Sequence, residues 1–244
     1  MAPTVAETEG GAAPYGHLSL WWDAIPAPSP RPSLPGNLAV DVCIVGAGFT
    51  GLWTAHALSS ADPSLRIAVV EKEVAGYGAS GRNGGWCSAL FATSDAALAR
   101  LYGVDAMRAM RRAMQATVDI VGATAHAEGI DCHFAKGGTL DAARTGVQRT
   151  RAHAEIAETR SFGFGEDDLR WLDRSEAEAM IGMEGMLGAT FTPHCAAIQP
   201  ALLACGLAEA VERRGVRIYE HTEVIDIVPG DRGRPRTREV KVCR

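Results

Sequence analysis

The run from Asp41 to Gly51, DVCIVGAGFTG, limits what this chain can fold into more than any other stretch. Four strand-forming residues, Val42, Cys43, Ile44 and Val45, lead straight into Gly46, Gly48 and Gly51 at GxGxxG spacing, and the helix-compatible LWTAHALSS comes next. In such a turn the first glycine lets the chain leave the strand sharply, and the second lets backbone approach a pyrophosphate. The third lets the helix pack close to the strand, with the helix N-terminus facing the phosphates. A second β-rich run, Ile67 to Val70, ends in Glu71, 25 residues after Gly46, where a carboxylate can accept hydrogen bonds from a ribose. A lone GxGxxG arises often by chance; strand, glycines, helix, second strand and terminal acid within one short unit do not. The unit predicts a dinucleotide-binding βαβ fold.

The segment after Glu71 distinguishes between nucleotides. In a plain NAD domain the next βα unit begins soon after the second strand. Here Ala75 to Ser88 reads AGYGASGRNGGWCS, a loop with five glycines, and then gives way to a long helical stretch. A loop so poor in side chains lets backbone come against a flat ligand.

The combination of GAGFTG, VVEKE and ASGRNGG resembles the FAD-dependent oxidoreductases of the D-amino-acid oxidase type, and within them the bacterial amine oxidoreductases similar to gamma-glutamylputrescine oxidoreductase. The residues that carry the resemblance are Gly46, Gly48, Gly51, Glu71, Lys72 and Ala79 to Gly85. It implies an α/β fold with a Rossmann-like FAD-binding domain of glutathione-reductase type, into which part of an α+β substrate domain is inserted after the second strand. The cofactor implied is FAD. Gly46, Gly48 and Gly51, with Thr50 in the same turn, would hold the pyrophosphate. Glu71, with Lys72 beside it, would hold the adenosine ribose, and Ser80, Arg82, Asn83, Gly84 and Gly85 would line the isoalloxazine side. A backbone contact to adenine falls to Val224. The activity implied is oxidation of an amine or amino acid to an imine by hydride transfer to flavin. The small-molecule substrate stays undefined, because the family's substrate-recognising groups lie in a C-terminal half with no counterpart here. On the same ground the chain reads as the N-terminal part of such an enzyme, inactive by itself. An NAD-binding module and a non-catalytic fragment are the alternatives.

Along the chain, residues 1–36 read as a disordered or extended arm, Ala/Glu/Gly-rich at first and then proline-rich, with Trp21 and Trp22 packing onto the body. Residues 37–94 read as the first part of the FAD domain and 95–195 as the inserted portion. Residues 196–244 read as the return to the FAD domain, ending in a polar hairpin loop over Arg232 to Arg244. Met107, Met110, Met114, Val118 and Val121 fall at helical spacing within Asp95 to Gly129 and predict a buried stripe, with Arg108, Arg111 and Arg112 on a solvated face. Strands are expected at Cys132 to Ala135, Gly138 to Ala142, Met186 to Phe191 and Val216 to His221. Capping boxes are expected at Thr145/Gln148 and Ser175/Glu178. Between the last two strands a helix starts near Pro200, buries Leu203, Leu207 and Val211, and stops at Gly215.

Composition bounds the partners. The chain has 244 residues, 47% hydrophobic and 22% charged, with a net charge of -5, which argues against nucleic acid and anionic membrane. No stretch approaches the ~18 consecutive apolar residues of a membrane span. Six scattered cysteines without a CxxC pair, and no hydrophobic leader, point to a cytoplasmic protein with reduced thiols. No histidine pair has metal-ligand spacing and no GxSxG elbow occurs, so no metal and no catalytic side chain is assigned. A flavoenzyme tolerates this, because the cofactor carries the difficult chemistry.

Overall fold

A computed structural model of the protein describes residues 15–228 and 239–242. In chain order the elements are α1 (Leu20–Asp23), β1 (Val42–Val45), α2 (Phe49–Ala61), β2 (Ile67–Val70), β3 (Trp86–Ser88), α3 (Asp95–Tyr102), α4 (Val104–Ala127), β4 (Thr139–Ala143) and α5 (Gly146–Ser161). They continue with β5 (Arg170–Leu172), α6 (Arg174–Met180), β6 (Gly188–Thr192), β7 (Cys195–Ala197), α7 (Pro200–Arg213), β8 (Arg217–Tyr219), β9 (Val224–Val228) and β10 (Glu239–Val242). Among the described residues no helix is long and apolar enough to cross a membrane.

The described residues form two compact units. The first takes those within Met1–Gly84, Ala125–Cys132 and Gln199–Arg244, and the second Gly85–Thr124 and His133–Ile198. The insertion therefore returns a short segment, Ala125–Cys132, to the first unit before the second resumes.

In the first unit β1 and β2 pair in parallel, Val42 opposite Ile67 through Val45 opposite Val70, and β8 joins the far side of β2, also in parallel. The sheet order is thus β1-β2-β8, with the expected neighbours and the expected return of the chain some 140 residues later. All four residues of β2 are buried, which is why its sequence is an unbroken apolar run rather than an alternating one. On β1, at the sheet edge, Val45 is 50% exposed. Helix α7 packs against α2 and buries Leu203, Leu207 and Val211 as expected. Pro200 sits in its first turn and Gln199 caps it, its side chain accepting from the Leu202 amide at 2.7 Å. The antiparallel pair β9–β10 lies beside the sheet's flank, and between them runs a hollow of about 930 Å³. It is lined by Val40, Val42, Val45, Val70, Ile225 and Ile227 among others, and by none of the glycines at 46, 48 and 51. The loop expected over Arg232 to Arg244 falls largely outside the described residues.

In the N-terminal arm Trp21 and Trp22 pack onto the body, as expected. The part of residues 1–36 that falls before Tyr15 lies outside the described residues; from Tyr15 on, the arm is folded. A 3-10 helix at Gly16–Leu18 and α1 set Trp22 (1% exposed) and Ile25 into a cluster with Val74 and Ala201. From Pro26 to Pro35 the arm forms neither helix nor strand, in keeping with its prolines.

The second unit is built on an antiparallel sheet, β4-β6-β5, with α5 and α6, and on the antiparallel pair β3–β7. The Thr145/Gln148 capping box is present. The second box is shifted by two residues: Asp173 accepts from the Glu176 amide at 2.9 Å and Glu176 accepts from the Asp173 amide at 2.8 Å. Glu178 instead receives Arg174 at 2.7 Å, one turn away. The helical region beginning at Asp95 breaks at Gly103 (φ 88°), which separates α3 from α4. On α4 the stripe is buried at Met107, Val118 and Val121, whereas Met110 is 38% exposed. Arg111 is not solvated, because it pairs with Asp95 at 2.5 Å and covers the Phe164 ring. Arg108 donates to the Phe162 carbonyl at 2.7 Å. Residues 132–135 form no strand, only one bridge from Ala135 to Ala197, and Trp86–Ser88, expected as loop, is a strand.

Candidate functional site

The site forms where the C-terminal ends of β1 and β2 meet the N-terminus of α2. The Gly46 amide donates to the Val70 carbonyl at 2.8 Å, and Gly46 then turns with φ 94°, a conformation that a side chain would strain. A Cβ on Gly51 would lie 2.0 Å from the Gly46 carbonyl oxygen and 3.2 Å from Ile44 Cγ2, so the third glycine sets how closely helix and strand approach. Gly48 is the N-cap of α2 and has no side chain of its own to cap it. Helix N-termini carry partial positive charge and unsatisfied amides, so this end is built to face an anion. Thr50 is exposed on the first turn.

Glu71 ties the two halves together. Its carboxylate accepts from the Ala47 amide at 2.7 Å and from the Glu73 amide at 3.0 Å, one oxygen each. A carboxylate has about four acceptor positions. Two hydroxyls can therefore still be accepted at this position beside the turn. The strand below is held by the Glu71 amide donating to the Tyr219 carbonyl and by the Thr222 amide donating to the Glu71 carbonyl, both at 2.8 Å.

The glycine loop comes back to the same turn. The Gly76 amide donates to the Ala47 carbonyl at 2.9 Å, and within a 3-10 helix at Ala79–Gly81 the Ser80 hydroxyl accepts from the Phe49 amide at 2.9 Å. A Cβ on Gly48 would come 3.0 Å from that hydroxyl, so the glycine lets the loop close on the turn. Asn83 donates to the Ser80 carbonyl at 2.8 Å and holds the loop's far side. Arg82 donates to the Gly78 carbonyl at 3.2 Å and stacks over Tyr77. Gly84 ends this unit and has open space around it, and Gly85 (φ 76°) begins the second.

Gly46, Gly48, Thr50, Gly51, Glu71 and Ser80 are thus gathered in one place, with Arg82, Asn83 and Gly84 on the loop that adjoins it. Lys72 turns away, to a surface pair with Glu223 at 2.9 Å that holds its ammonium above the usual pKa. Val224 opens β9, half-buried against Ala68, Val70 and Tyr219. Sequence reasoning does not single out Ala47, whose amide joins turn to carboxylate. It names Ser80 for the isoalloxazine side, not for the bond its hydroxyl makes to the Phe49 amide. No residue type announces a backbone donor, which is why Ala47 escapes it.

His56 and His194 are held in pairs with carboxylates. His56 pairs with Glu128 at 2.9 Å, and Arg214 and Arg213 bind the same carboxylate. His194 contacts Asp168 at 3.2 Å in the second unit. Among the described residues no group of three metal-ligating side chains gathers.

Comparison with known proteins places this geometry. Residues 41–242 match the family described as FAD dependent oxidoreductase. Gamma-glutamylputrescine oxidoreductase of Escherichia coli K12 is 29% identical over 199 residues, 82% of this chain and 46% of that protein. The solved glycine oxidase of Geobacillus kaustophilus superposes with a TM-score of 0.59 at 27% identity, over 77% of this chain and 48% of the other. L-alpha-glycerophosphate oxidase from Mycoplasma pneumoniae, solved with FAD bound, shares the fold with a TM-score of 0.65 at 21% identity, over 84% of this chain and 50% of the other. The chain spans about half the length of the curated relatives it matches.

Proposed function

The chain belongs to the family of FAD-dependent oxidoreductases, and from that premise we propose that it binds FAD across the β1–α2 turn and serves the oxidation of a C–N bond in a small amine or amino acid. The family is FAD-dependent, and the residues present fit that cofactor. The N-terminus of α2, whose N-cap Gly48 has no side chain, would face the pyrophosphate. Glu71 stands with acceptor capacity to spare where the adenosine ribose would sit. The observation that carries the reading is this convergence of turn, carboxylate and glycine loop through Ala47 and Ser80.

The chain's own residues have definable tasks. The amides of α2's first turn neutralise phosphate charge at fixed positions without reorganising, which is what makes a preformed anion site effective. Glu71 orients the ribose by accepting its hydroxyls. The segment from Ser80 to Gly84 supplies a thin backbone wall on the isoalloxazine side, and Val224 a backbone contact toward adenine. FAD, when bound, would supply the acceptor for the hydride that leaves the substrate carbon as the amine becomes an imine. The substrate class is supported by the relatives, whose names refer to gamma-glutamylputrescine and glycine.

Titration of the folded protein with FAD and with NAD tests the cofactor, and tighter binding of NAD would sink the proposal. Anaerobic bleaching of the bound flavin by amines and amino acids, with glycerol 3-phosphate as the alternative class, tests the substrate. Reduction by the phosphate ester and by no amine would overturn it.

A further inference from the structure

The loop from Ala75 to Gly84 is held at three points, and each traces back to the segment Tyr15–Leu34, outside the βαβ unit. At its middle, the indole of Trp22 lies directly on Gly81: a Cβ there would be 2.7 Å from Nε1, and one on Gly76 would be 3.7 Å from Cζ2. Gly81 is therefore a glycine because of Trp22 and the nearby Gly76 carbonyl. At the loop's far end the Trp21 indole Nε1 donates to the Asn83 carbonyl at 2.7 Å, and Gln199, the N-cap of α7, donates to the Trp21 carbonyl at 2.7 Å. At its near end the buried Glu220 carboxylate accepts from the Ala75 amide at 2.9 Å and is paired with Arg31 at 3.1 Å. Arg31 also grips Glu212 with two bonds, at 2.9 and 2.8 Å. The Pro32 carbonyl accepts from the Glu220 amide, and the Leu34 amide donates to the Thr222 hydroxyl.

By contrast, Gly78 and Gly84 meet nothing within 4 Å and need no unusual φ. The protein's own packing gives no reason for glycine at either. Braced points and open points alternate along the loop. The loop joins the phosphate turn at Gly76 and Ser80, whereas the Trp21 contact falls at its far end, on Asn83.

We propose that Tyr15–Leu34 is a brace that shapes the glycine loop for the flavin half of the cofactor, with Trp21 as its positioning residue. This rests on the FAD reading above. A loop held in its bound shape costs less entropy on binding, so the Trp21 contact at the loop's far end raises affinity for the part of FAD that touches the loop and leaves the adenosine part unaffected. Linkage requires the reverse as well: FAD must tighten the brace, and a nucleotide that ends before the isoalloxazine must not.

The test compares FAD with ADP on the 244-residue chain and on Trp21→Phe, which keeps a ring and removes the donor to Asn83. Loss of one hydrogen bond predicts an FAD affinity lower by roughly 3- to 10-fold, with ADP affinity unchanged. The visible circular dichroism of the bound flavin changes. A general loss of structure would weaken both nucleotides equally, and so would overturn the proposal, as would an unchanged FAD-to-ADP ratio. Hydrogen exchange of the wild-type protein gives a second readout: FAD slows exchange across Tyr15–Asp23 and ADP does not, and equal protection there by both would count against the brace. Should the wild type bind no FAD, the cofactor reading falls. The brace is then judged by ligand-free exchange of Ala75–Gly84, faster in Trp21→Phe if it exists and unchanged if it does not.

Discussion

A methyl group added to Gly51 and one added to Gly84 meet opposite fates. The first would press into the Gly46 carbonyl at 2.0 Å, and the second meets no atom within 4 Å. Gly51→Ala is expected to cost about 1–3 kcal/mol of stability, as overpacking against backbone does, whereas Gly84→Ala leaves stability within about 0.5 kcal/mol and lowers FAD affinity. Urea unfolding and FAD titration of the two variants check this. A second residue sets an acid limit. Arg214 and then His56 hydrogen-bond Glu128 and hold its carboxyl at about 2, well below the usual 4.5. A depressed carboxylate stabilises the fold fully above its unfolded value and loses that contribution as pH falls toward the folded one. Glu128→Gln is therefore expected to unfold more readily than wild type at neutral pH. The gap narrows between 4.5 and 2, where wild-type Glu128 itself becomes protonated. Thermal unfolding across that range, with a gap independent of pH as the contrary result, measures it.

At the scale of elements, α4 shows what a periodic pattern carries and what it omits. Met107 and Met110 stand at the same helical spacing, yet Met107 is 1% exposed beside Leu98 and Phe164, and Met110 is 38% exposed. Met107→Ala is expected to destabilise by about 2–5 kcal/mol and Met110→Ala by less than about 1 kcal/mol, read from urea midpoints. Spacing fixes a face; how much of it is covered depends on what the rest of the chain brings there. The same limit explains α6. Asp173 and Ser175 both have an acid three residues on, and only the start of the helix decides which becomes the cap. Trp86–Ser88 is a strand because β7 offers it a partner more than 100 residues later, and nothing local signals that. The βαβ unit, by contrast, is legible to the residue: the register Val42–Ile67 follows from two apolar runs and the helix between them. So are the glycines at 46, 48 and 51, whose reasons are local. The links through Ala47 and the serine hydroxyl at 80 are not, because they depend on backbone amides.

Over the whole molecule the first unit leaves an apolar hollow of about 930 Å³ open beside β1, with Val45 half exposed and Ile225 at 62%. Apolar surface of this kind binds hydrophobic dyes. An anilinonaphthalene sulfonate signal is expected in the native state, reduced in Ile225→Lys at unchanged secondary structure. Equal fluorescence from both proteins would place the dye elsewhere. The arm carries a different consequence, for anyone preparing the protein. The family match begins at residue 41, but among the described residues the interior begins at Trp22, and a recombinant piece trimmed to that match would lose Trp22, Ile25 and Arg31. Gly81 would face an empty slot the width of an indole, and Glu220 would keep its negative charge in the interior without its guanidinium. The start of the family match and the start of the buried interior are different positions in this chain, and an expression vector should be designed to the second.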